Sequence, residues 1–172
     1  MYIGMSLILL LLRILLGVSL IYYGWPKIRD PKSNARDFVE MGFRPGMLWG
    51  TLGVLVEFFG GIAIFFGLYA ELAAALFGFQ MMIGTFWKIL KLGKGFTEYS
   101  YDLYLLSLCL VIMSQGSGAF GLTAFPGYIF LRWDVAGAAL VAALLLAVSS
   151  KPDPKLRGSA GPGQAEKSPA PV

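Results

Sequence analysis

Five long apolar runs constrain the fold of this chain more than any other feature of the sequence. They cover residues 3–24, 47–69, 72–89, 99–115 and 128–148. About 20 consecutive apolar residues form a helix that is long enough to cross the hydrocarbon core of a bilayer. The mean hydropathy is +0.70 and only 14% of the residues are charged, whereas soluble domains carry roughly 25%. The sequence therefore predicts an all-α membrane protein, with residues 1–149 as one polytopic transmembrane domain.

Two polar segments complete this organisation. Residues 33–42 combine helix-capping residues with spaced apolar positions, which favours a short helix at the membrane interface. Residues 150–172 are rich in Pro, Gly, Ser and Lys, and this composition predicts a disordered basic tail. Only Ala70 and Glu71 separate the second and third runs, so these two spans should be antiparallel neighbours.

The distribution of basic residues predicts the orientation. The first connection holds five of them, the end of the third run and the segment after it hold three and the tail holds four, whereas only Arg132 lies near the start of the fifth run. Cytoplasmic loops carry the excess of Lys and Arg. We therefore expect five spans, an external N-terminus and a cytoplasmic C-terminus, because four spans would leave the basic tail outside. The net charge of +4 follows from this topology and does not indicate a nucleic-acid partner.

The chain has no histidine and a single cysteine, Cys109, which lies among apolar neighbours. These numbers exclude a haem held by paired histidines, a Rieske or ferredoxin-type cluster, a zinc site built from His and Cys, and an internal disulfide. We predict no metal site. Any redox role then requires an organic cofactor or a cofactor of a partner, and Cys109 is interpreted as a small buried apolar residue.

Arg13 and Glu57 lie near the middle of the first and second apolar runs and carry opposite charges. A charged side chain at the centre of a spanning helix costs about 2.5–3.5 kcal/mol on insertion scales, so it usually faces a partner or a watery cavity. Counted from the connection between the two runs, the two residues lie at similar depth, and we expect them to form a pair. Two interpretations remain open: a salt bridge that fixes helix packing, or part of a pocket that binds a head group or moves a proton. Gln80 is a candidate third member.

Small and charged residues around this pair add two further expectations. Gly53, Gly60 and Gly67 recur every seven residues, and such a stripe lets another backbone approach closely. Glu98 and Asp102 begin the fourth run near three lysines. We interpret them as a solvated charge cluster at the membrane interface.

Four motifs together resemble the DoxX family of small bacterial and archaeal membrane proteins. They are Arg13 with Gly17, then Gly24-Trp25-Pro26-Lys27, then Glu57-Phe58-Phe59-Gly60-Gly61, and finally Gly116-Ser117-Gly118. The resemblance extends over residues 8–123 and implies a four-helix transmembrane bundle, to which this chain adds a fifth helix. It also implies a location in the cytoplasmic (inner) membrane and an association with quinone-linked redox chemistry. One departure is that Gly121-Leu122-Thr123 stands where the family commonly has an acid.

The resemblance places the candidate site on the residues that match these motifs. Arg13 and Glu57 are the candidate catalytic residues, since Arg13 would orient a quinone head group and Glu57 would exchange a proton. The candidate cofactor-binding residues are these two together with Lys27, Gly60, Gly61, Gly116 and Gly118; Gln80 is added as a polar side chain in the third run and not from a motif.

Three functions remain open from the sequence. The first is a subunit of a quinone-dependent oxidoreductase, with a quinone as its cofactor. The alternative is a non-catalytic subunit that anchors or stabilises a larger respiratory or photosynthetic complex, and a small transporter is the third. The expected partners are the lipid bilayer, other membrane subunits and a quinone. No catalytic triad, phosphate-binding loop or metal motif is present in the sequence, and the sequence leaves open whether the protein has an activity of its own.

Overall fold

Helices form the architecture in a computed structural model that describes residues 3–123 and 126–151. The helices are α1 (Ile3–Arg29), α2 (Pro31–Glu40), α3 (Gly46–Phe66), α4 (Ala70–Leu92), α5 (Phe96–Gln115) and α6 (Trp133–Ser149), with a short 3₁₀ helix at Gly127–Leu131 before α6. No strand occurs in these two ranges. The prediction of an all-α membrane protein is therefore confirmed. Most of the predicted tail, residues 152–172, lies outside the described residues.

Four of the described helices, α1, α3, α4 and α5, are long and apolar enough to cross a membrane. The fifth apolar run is divided, because its first residues form the 3₁₀ helix and only the 17 residues of α6 are α-helical. At 1.5 Å per residue, α6 is about 25 Å long. It packs along α4, and Lys91 Nζ of α4 donates a hydrogen bond to the Val148 carbonyl at 2.6 Å. The C-terminal ends of α4 and α6 therefore lie together.

The first helix is longer than the apolar run from which it was predicted. It continues through Pro26 and ends at Arg29, five residues beyond the expected boundary. Asp30 then caps α2 by accepting a hydrogen bond from the Ser33 amide at 2.9 Å, and Pro31 occupies the first turn. A proline there fits the helix geometry without removing an intrahelical hydrogen bond. The boundary between α1 and α2 was missed because the polar end of α1 has no apolar signal.

The spanning helices form an open bundle. Helix α1 packs on α3, α3 on α4, and α4 on α5, while α6 covers α4 and α2 lies along α3. Helices α1 and α5 touch each other far less, so the bundle is loosely closed along that edge. The buried core between the helices includes Leu16, Leu20, Ile64, Phe77 and Ile112.

Glycines bring α1 and α3 into close contact, although not through the predicted stripe. A Cβ at Gly17 would lie 2.8 Å from the Gly61 carbonyl oxygen, and a Cβ at Gly61 would lie 2.8 Å from the Leu20 Cβ. In contrast, Gly60 points toward Ala73 of α4 with room to spare, and Gly53 lies near Phe38 of α2. The seven-residue recurrence therefore does not mark one interface.

Replacing Gly61 with Ala should destabilise the bundle, because the new methyl group would meet the backbone of α1. Overpacking of this kind costs about 1–3 kcal/mol. We expect a lower apparent melting temperature of the detergent-solubilised protein. Gly60→Ala is the matched control, since the nearest atom to its Cβ would be 3.9 Å away. Equal melting temperatures for the two variants would contradict this account of the interface.

Candidate functional site

The predicted Arg13 and Glu57 pair does not form. Gly24 of α1 lies against Phe58 of α3, whereas Arg13 lies beside Gly67. Glu57 is therefore level with Gly24, eleven residues from Arg13, which corresponds to about 16 Å along the helix. The depth estimate was wrong because α1 continues to Arg29 and the connection does not begin where the apolar run ends. The structure instead has two separate polar centres.

The first centre, which we call the arginine centre, consists of Arg13, Glu71 and Ser117. The Arg13 side chain is 1% exposed. Its Nε donates to the Ile64 carbonyl at 3.1 Å and its Nη1 to the Ser117 carbonyl at 2.5 Å, while Nη2 donates to the carbonyls of Phe65 and Phe120 at 3.3 and 3.5 Å. The guanidinium group therefore joins α1 to the end of α3 and to the segment after α5.

The location of Arg13 follows from the electrostatics of helix ends. The last carbonyl groups of a helix lack intrahelical partners and carry a partial negative charge, which a cation stabilises. Ile64 and Phe65 supply such carbonyls at the end of α3. Gly67 then ends the helix in the left-handed conformation, with φ of 68°. A Cβ at Gly67 would occupy the position of the guanidinium group, so glycine is required there for two reasons.

Glu71 supplies the negative charge of the arginine centre, and the sequence analysis treated it only as part of a tight connection. It lies in the first turn of α4, where an acid is favourable, and is 1% exposed. Its Oε1 accepts hydrogen bonds from the Ser117 amide at 2.7 Å and from the Ser117 hydroxyl at 2.9 Å. Glu71 also interacts electrostatically with Arg13. The only sequence signal for this role was the position of an acid between two apolar runs.

The segment after α5 closes the arginine centre. Gly116 and Gly118 both have positive φ, 75° and 70°, so the chain reverses there. Further along, the Thr123 amide donates to the Gly67 carbonyl at 3.1 Å, and the Thr123 hydroxyl accepts from the Tyr69 amide at 2.9 Å. Gly116 and Gly118 therefore lie near Arg13, at the C-terminal end of α3 and away from Glu57.

The second centre, which we call the carboxylate centre, consists of Lys27, Glu57 and Gln80. Lys27 Nζ lies 2.7 and 2.5 Å from the two carboxylate oxygens of Glu57, and Gln80 Nε2 donates to Glu57 Oε1 at 2.9 Å. Glu57 is 7% exposed, while 40% of the Lys27 side chain is accessible. Hydrogen bonds between charged groups are shorter and stronger than neutral ones. Side chains from two neighbouring helices thus contact one buried acid of α3, and one of them, Lys27, reaches the bundle surface.

Tyrosines line the loosely closed edge between α1 and α5, close to the carboxylate centre. The rings of Tyr23 and Tyr101 meet edge to face with their centroids 6.5 Å apart, and the two side chains interact electrostatically. Tyr101 also lies within electrostatic range of Glu57 and Asp102. The edge therefore places phenol groups between the surface and the buried acid.

The predicted charge cluster at the start of α5 is solvated only in part. Glu98 is accessible and forms an ion pair with Lys94 at 3.3 Å. Asp102, however, is 6% exposed and lies 2.7 Å from Lys88 Nζ of α4. The interpretation as a solvated cluster was therefore wrong for Asp102. Gln80, Gly84 and Lys88 follow one another at intervals of four residues along one face of α4. This face packs on α5 and encloses the Asp102 side chain.

The two centres offer hydrogen-bond donors and a buried acid but no set of metal ligands. In the described ranges, no three His, Cys, Asp or Glu side chains lie together. Gly60 and Gly61 contribute packing surfaces and no polar groups. Of the predicted site residues, the structure therefore brings together Lys27, Glu57 and Gln80 in one centre, and Arg13 with the turn at Gly116 and Gly118 in the other.

Residues 8–89 match the family model of DoxX. This segment belongs to the DoxX family. The match spans most of α1 through most of α4 and includes Arg13, Lys27, Glu57, Glu71 and Gln80, but not the closing segment after α5 or α6. No curated protein and no solved structure matches the chain.

Replacing Arg13 with Gln should weaken the DoxX domain severely. The change leaves buried carbonyl groups without their donor, which costs about 1–3 kcal/mol for each group, and it removes a positive charge that interacts with the buried Glu71. We expect a lower yield of folded protein and a lower apparent melting temperature. Arg13→Lys should restore only part of the stability, since an ammonium group lacks the planar fork that reaches several carbonyls.

Arg132→Gln is the matched control for this experiment. Arg132 forms an ion pair with Asp134 in which both side chains are more than 60% exposed, and exposed pairs contribute at most about 1 kcal/mol. A yield and melting temperature of Arg13→Gln equal to those of Arg132→Gln would contradict the structural role of the arginine centre.

Proposed function

We propose that this membrane protein is a subunit associated with quinone-linked redox chemistry, and that its carboxylate centre binds a quinone or similar head group. The observation that carries the proposal is the buried Glu57, held by Lys27 and Gln80 beside the loosely closed edge between α1 and α5. An intramembrane acid in such a position is a functional candidate by default.

The residues of this centre suit an acceptor head group. Lys27, Gln80 and the phenols of Tyr23 and Tyr101 supply donors, and the carbonyl oxygens of a quinone accept hydrogen bonds. A bound quinone would supply two-electron, two-proton chemistry. Within the chain, Glu57 is the group that would take or release a proton, and Lys27 contacts both of its carboxylate oxygens. This replaces the role expected for Arg13, whose guanidinium group donates to four backbone carbonyls.

The edge between α1 and α5 supports access from the bilayer. Tyr23 and Tyr101 are about half exposed there, and Tyr104 is 62% exposed. A head group entering from the lipid would meet these rings before it reached Glu57. Aromatic side chains with polar tips suit a boundary between an apolar and a polar region.

A second candidate function is a non-catalytic subunit that stabilises a larger respiratory or photosynthetic complex. The specific observation in its favour is α6, which packs on α4 and presents exposed apolar side chains, including Val141, Leu145 and Val148. Such a face can contact lipid or another membrane subunit. Under this alternative, Glu57 serves only to hold α1, α3 and α4 together.

We further propose that the end of the bundle carrying Lys27, Lys88 and Lys91 is cytoplasmic, and that the protein resides in the inner membrane of a bacterium or archaeon. The support is the excess of basic residues at this end together with the family match. Helix α6 ends at the same side, which agrees with a cytoplasmic C-terminus.

Glu57→Gln should weaken the binding of quinones to the purified protein. The test titrates short-chain benzoquinones and naphthoquinones and follows quenching of tryptophan fluorescence, for which Trp25 on α1 is a nearby reporter. An ionised carboxylate cannot donate to a quinone carbonyl, so the effect acts through Lys27, whose ammonium group Glu57 positions. Because a hydrogen bond from such a charged donor contributes about 1.5–3 kcal/mol, its loss should raise the Kd roughly tenfold or more. Melting temperatures would show whether the variant remains folded.

Glu98→Gln is the control, since Glu98 is an accessible acid in the first turn of α5 and outside the carboxylate centre. Absence of saturable quenching in the unmodified protein, or equal Kd values for the two variants, would refute quinone binding at Glu57. Native mass spectrometry of the gently solubilised protein separates the two candidate functions, because it detects a bound quinone and partner subunits together.

Cysteine labelling tests the proposed orientation. The native Cys109 is fully buried, so it should contribute little labelling by a membrane-impermeant maleimide. We expect Arg132→Cys to be labelled in intact cells and Lys94→Cys only after the membrane is opened. The reverse pattern would overturn the assignment of the cytoplasmic side.

A further inference from the structure

A half-open cavity of about 370 Å³ lies where the connection between α2 and α3 meets the C-terminal end of α6. We propose that this cavity binds the phosphate headgroup of an anionic phospholipid. It is lined by polar and cationic residues, Arg44, Ser149 and Lys151, and by an apolar wall of Phe43, Trp49 and Leu146. The cavity is distinct from both polar centres and does not depend on the proposed quinone site.

The charge of the cavity favours an anion. Arg44 and Lys151 are exposed, and neither forms an ion pair with another described residue. Among the residues that the structure describes, no acidic side chain lines the cavity. The carbonyl groups at the end of α6 would repel a phosphate, but Lys91 donates to the Val148 carbonyl at 2.6 Å and offsets this effect. A phosphate group would therefore meet two cations, with no competing carboxylate from the described part of the chain.

The fold fixes the two cations next to each other although they are distant in sequence. Gly42 has a φ of 90°, and a Cβ there would overlap the backbone of Lys151. The chain after α6 therefore lies directly on the turn after α2. Ser150 is buried, and its amide and hydroxyl donate to the carbonyls of Leu146 and Ala147. These contacts hold the backbone of Lys151 in place beside the connection that carries Arg44.

The apolar side of the cavity distinguishes a lipid from free phosphate. The rings of Phe43 and Trp49 pack at 5.8 Å, and tryptophan is enriched where hydrocarbon meets headgroups. Exposed apolar side chains continue from the cavity along both neighbouring helices, Met47 and Leu48 on α3 and Leu145 and Val148 on α6. Acyl chains attached to a phosphate in the cavity would lie against these surfaces.

The cavity lies at the end of the bundle where anionic phospholipids are expected in the membrane. This end of the bundle holds most of the basic residues and is the expected cytoplasmic side. Anionic lipids in the cytoplasmic leaflet attract basic segments, and basic pockets between helices on that side bind phosphate headgroups. The cavity combines that charge with a defined shape.

Competition between two lipids tests the proposal. The full chain is solubilised in mild detergent, supplied with equal amounts of dioleoyl phosphatidylglycerol and dioleoyl phosphatidylcholine, and analysed by native mass spectrometry. We expect selective retention of phosphatidylglycerol. The double variant Arg44→Gln with Lys151→Gln should lose this retention, roughly fivefold for each cation removed. The charge-preserving pair Arg44→Lys with Lys151→Arg should keep it.

The double variant Lys94→Gln with Arg132→Gln is the matched control, because it removes the same charge from two cations that pair with other acids. Retention equal to that of the unmodified protein supports the cavity as the site. Equal retention of the two lipids by the unmodified protein overturns the proposal. An equal loss in the control pair also overturns it, as does displacement of phosphatidylglycerol by millimolar inorganic phosphate.

Discussion

The hydrogen bonds of the buried Arg13 guanidinium group hold together the end of the bundle at which α3 ends and α4 begins. It lies among the terminal carbonyls of α3 and the carbonyls of the segment after α5, with Glu71 as its counter-charge. A charge in a low-dielectric interior requires such a set of partners. Because these partners come from different segments, Arg13 fixes three of them relative to one another: α1, the turn between α3 and α4, and the segment after α5. The left-handed Gly67 leaves room for this arrangement.

The other half of the bundle also contains a buried charge with hydrogen-bond partners, but this charge lies closer to the surface. Glu57 is also buried, but one of its partners, Lys27, is partly accessible and comes from the polar end of α1. The carboxylate centre therefore adjoins a boundary that a ligand can reach, whereas the arginine centre is closed by backbone. This contrast is the reason to associate ligand chemistry with Glu57 and structural stability with Arg13, although the sequence presents both as isolated charges in apolar runs.

The sequence predicted the helices well and the partners of their charged residues poorly. The runs at 47–69, 72–89 and 99–115 correspond to α3, α4 and α5 within a few residues, because apolar length is a local property. The pairing of Arg13 with Glu57 failed because it depended on the position of one helix end. Pro26, Lys27 and Arg29 extend α1 without any apolar signal, and the five added residues shift the register of α1 against α3. Glu71 was missed for a related reason, since a tight connection between two spans is normally accessible and only the segment after α5 buries it.

By itself, the sequence determined that this chain is a helical membrane protein, that it carries DoxX motifs, and that no histidine-based metal chemistry is available to it. Composition and apolar run length suffice for these conclusions, because the bilayer requires each spanning segment to satisfy its own backbone hydrogen bonds. Only the tertiary structure decided which charges neutralise one another. That choice depends on the register between helices distant in sequence, where a shift of one helical turn moves a side chain by about 5 Å and exchanges one hydrogen-bond partner for another.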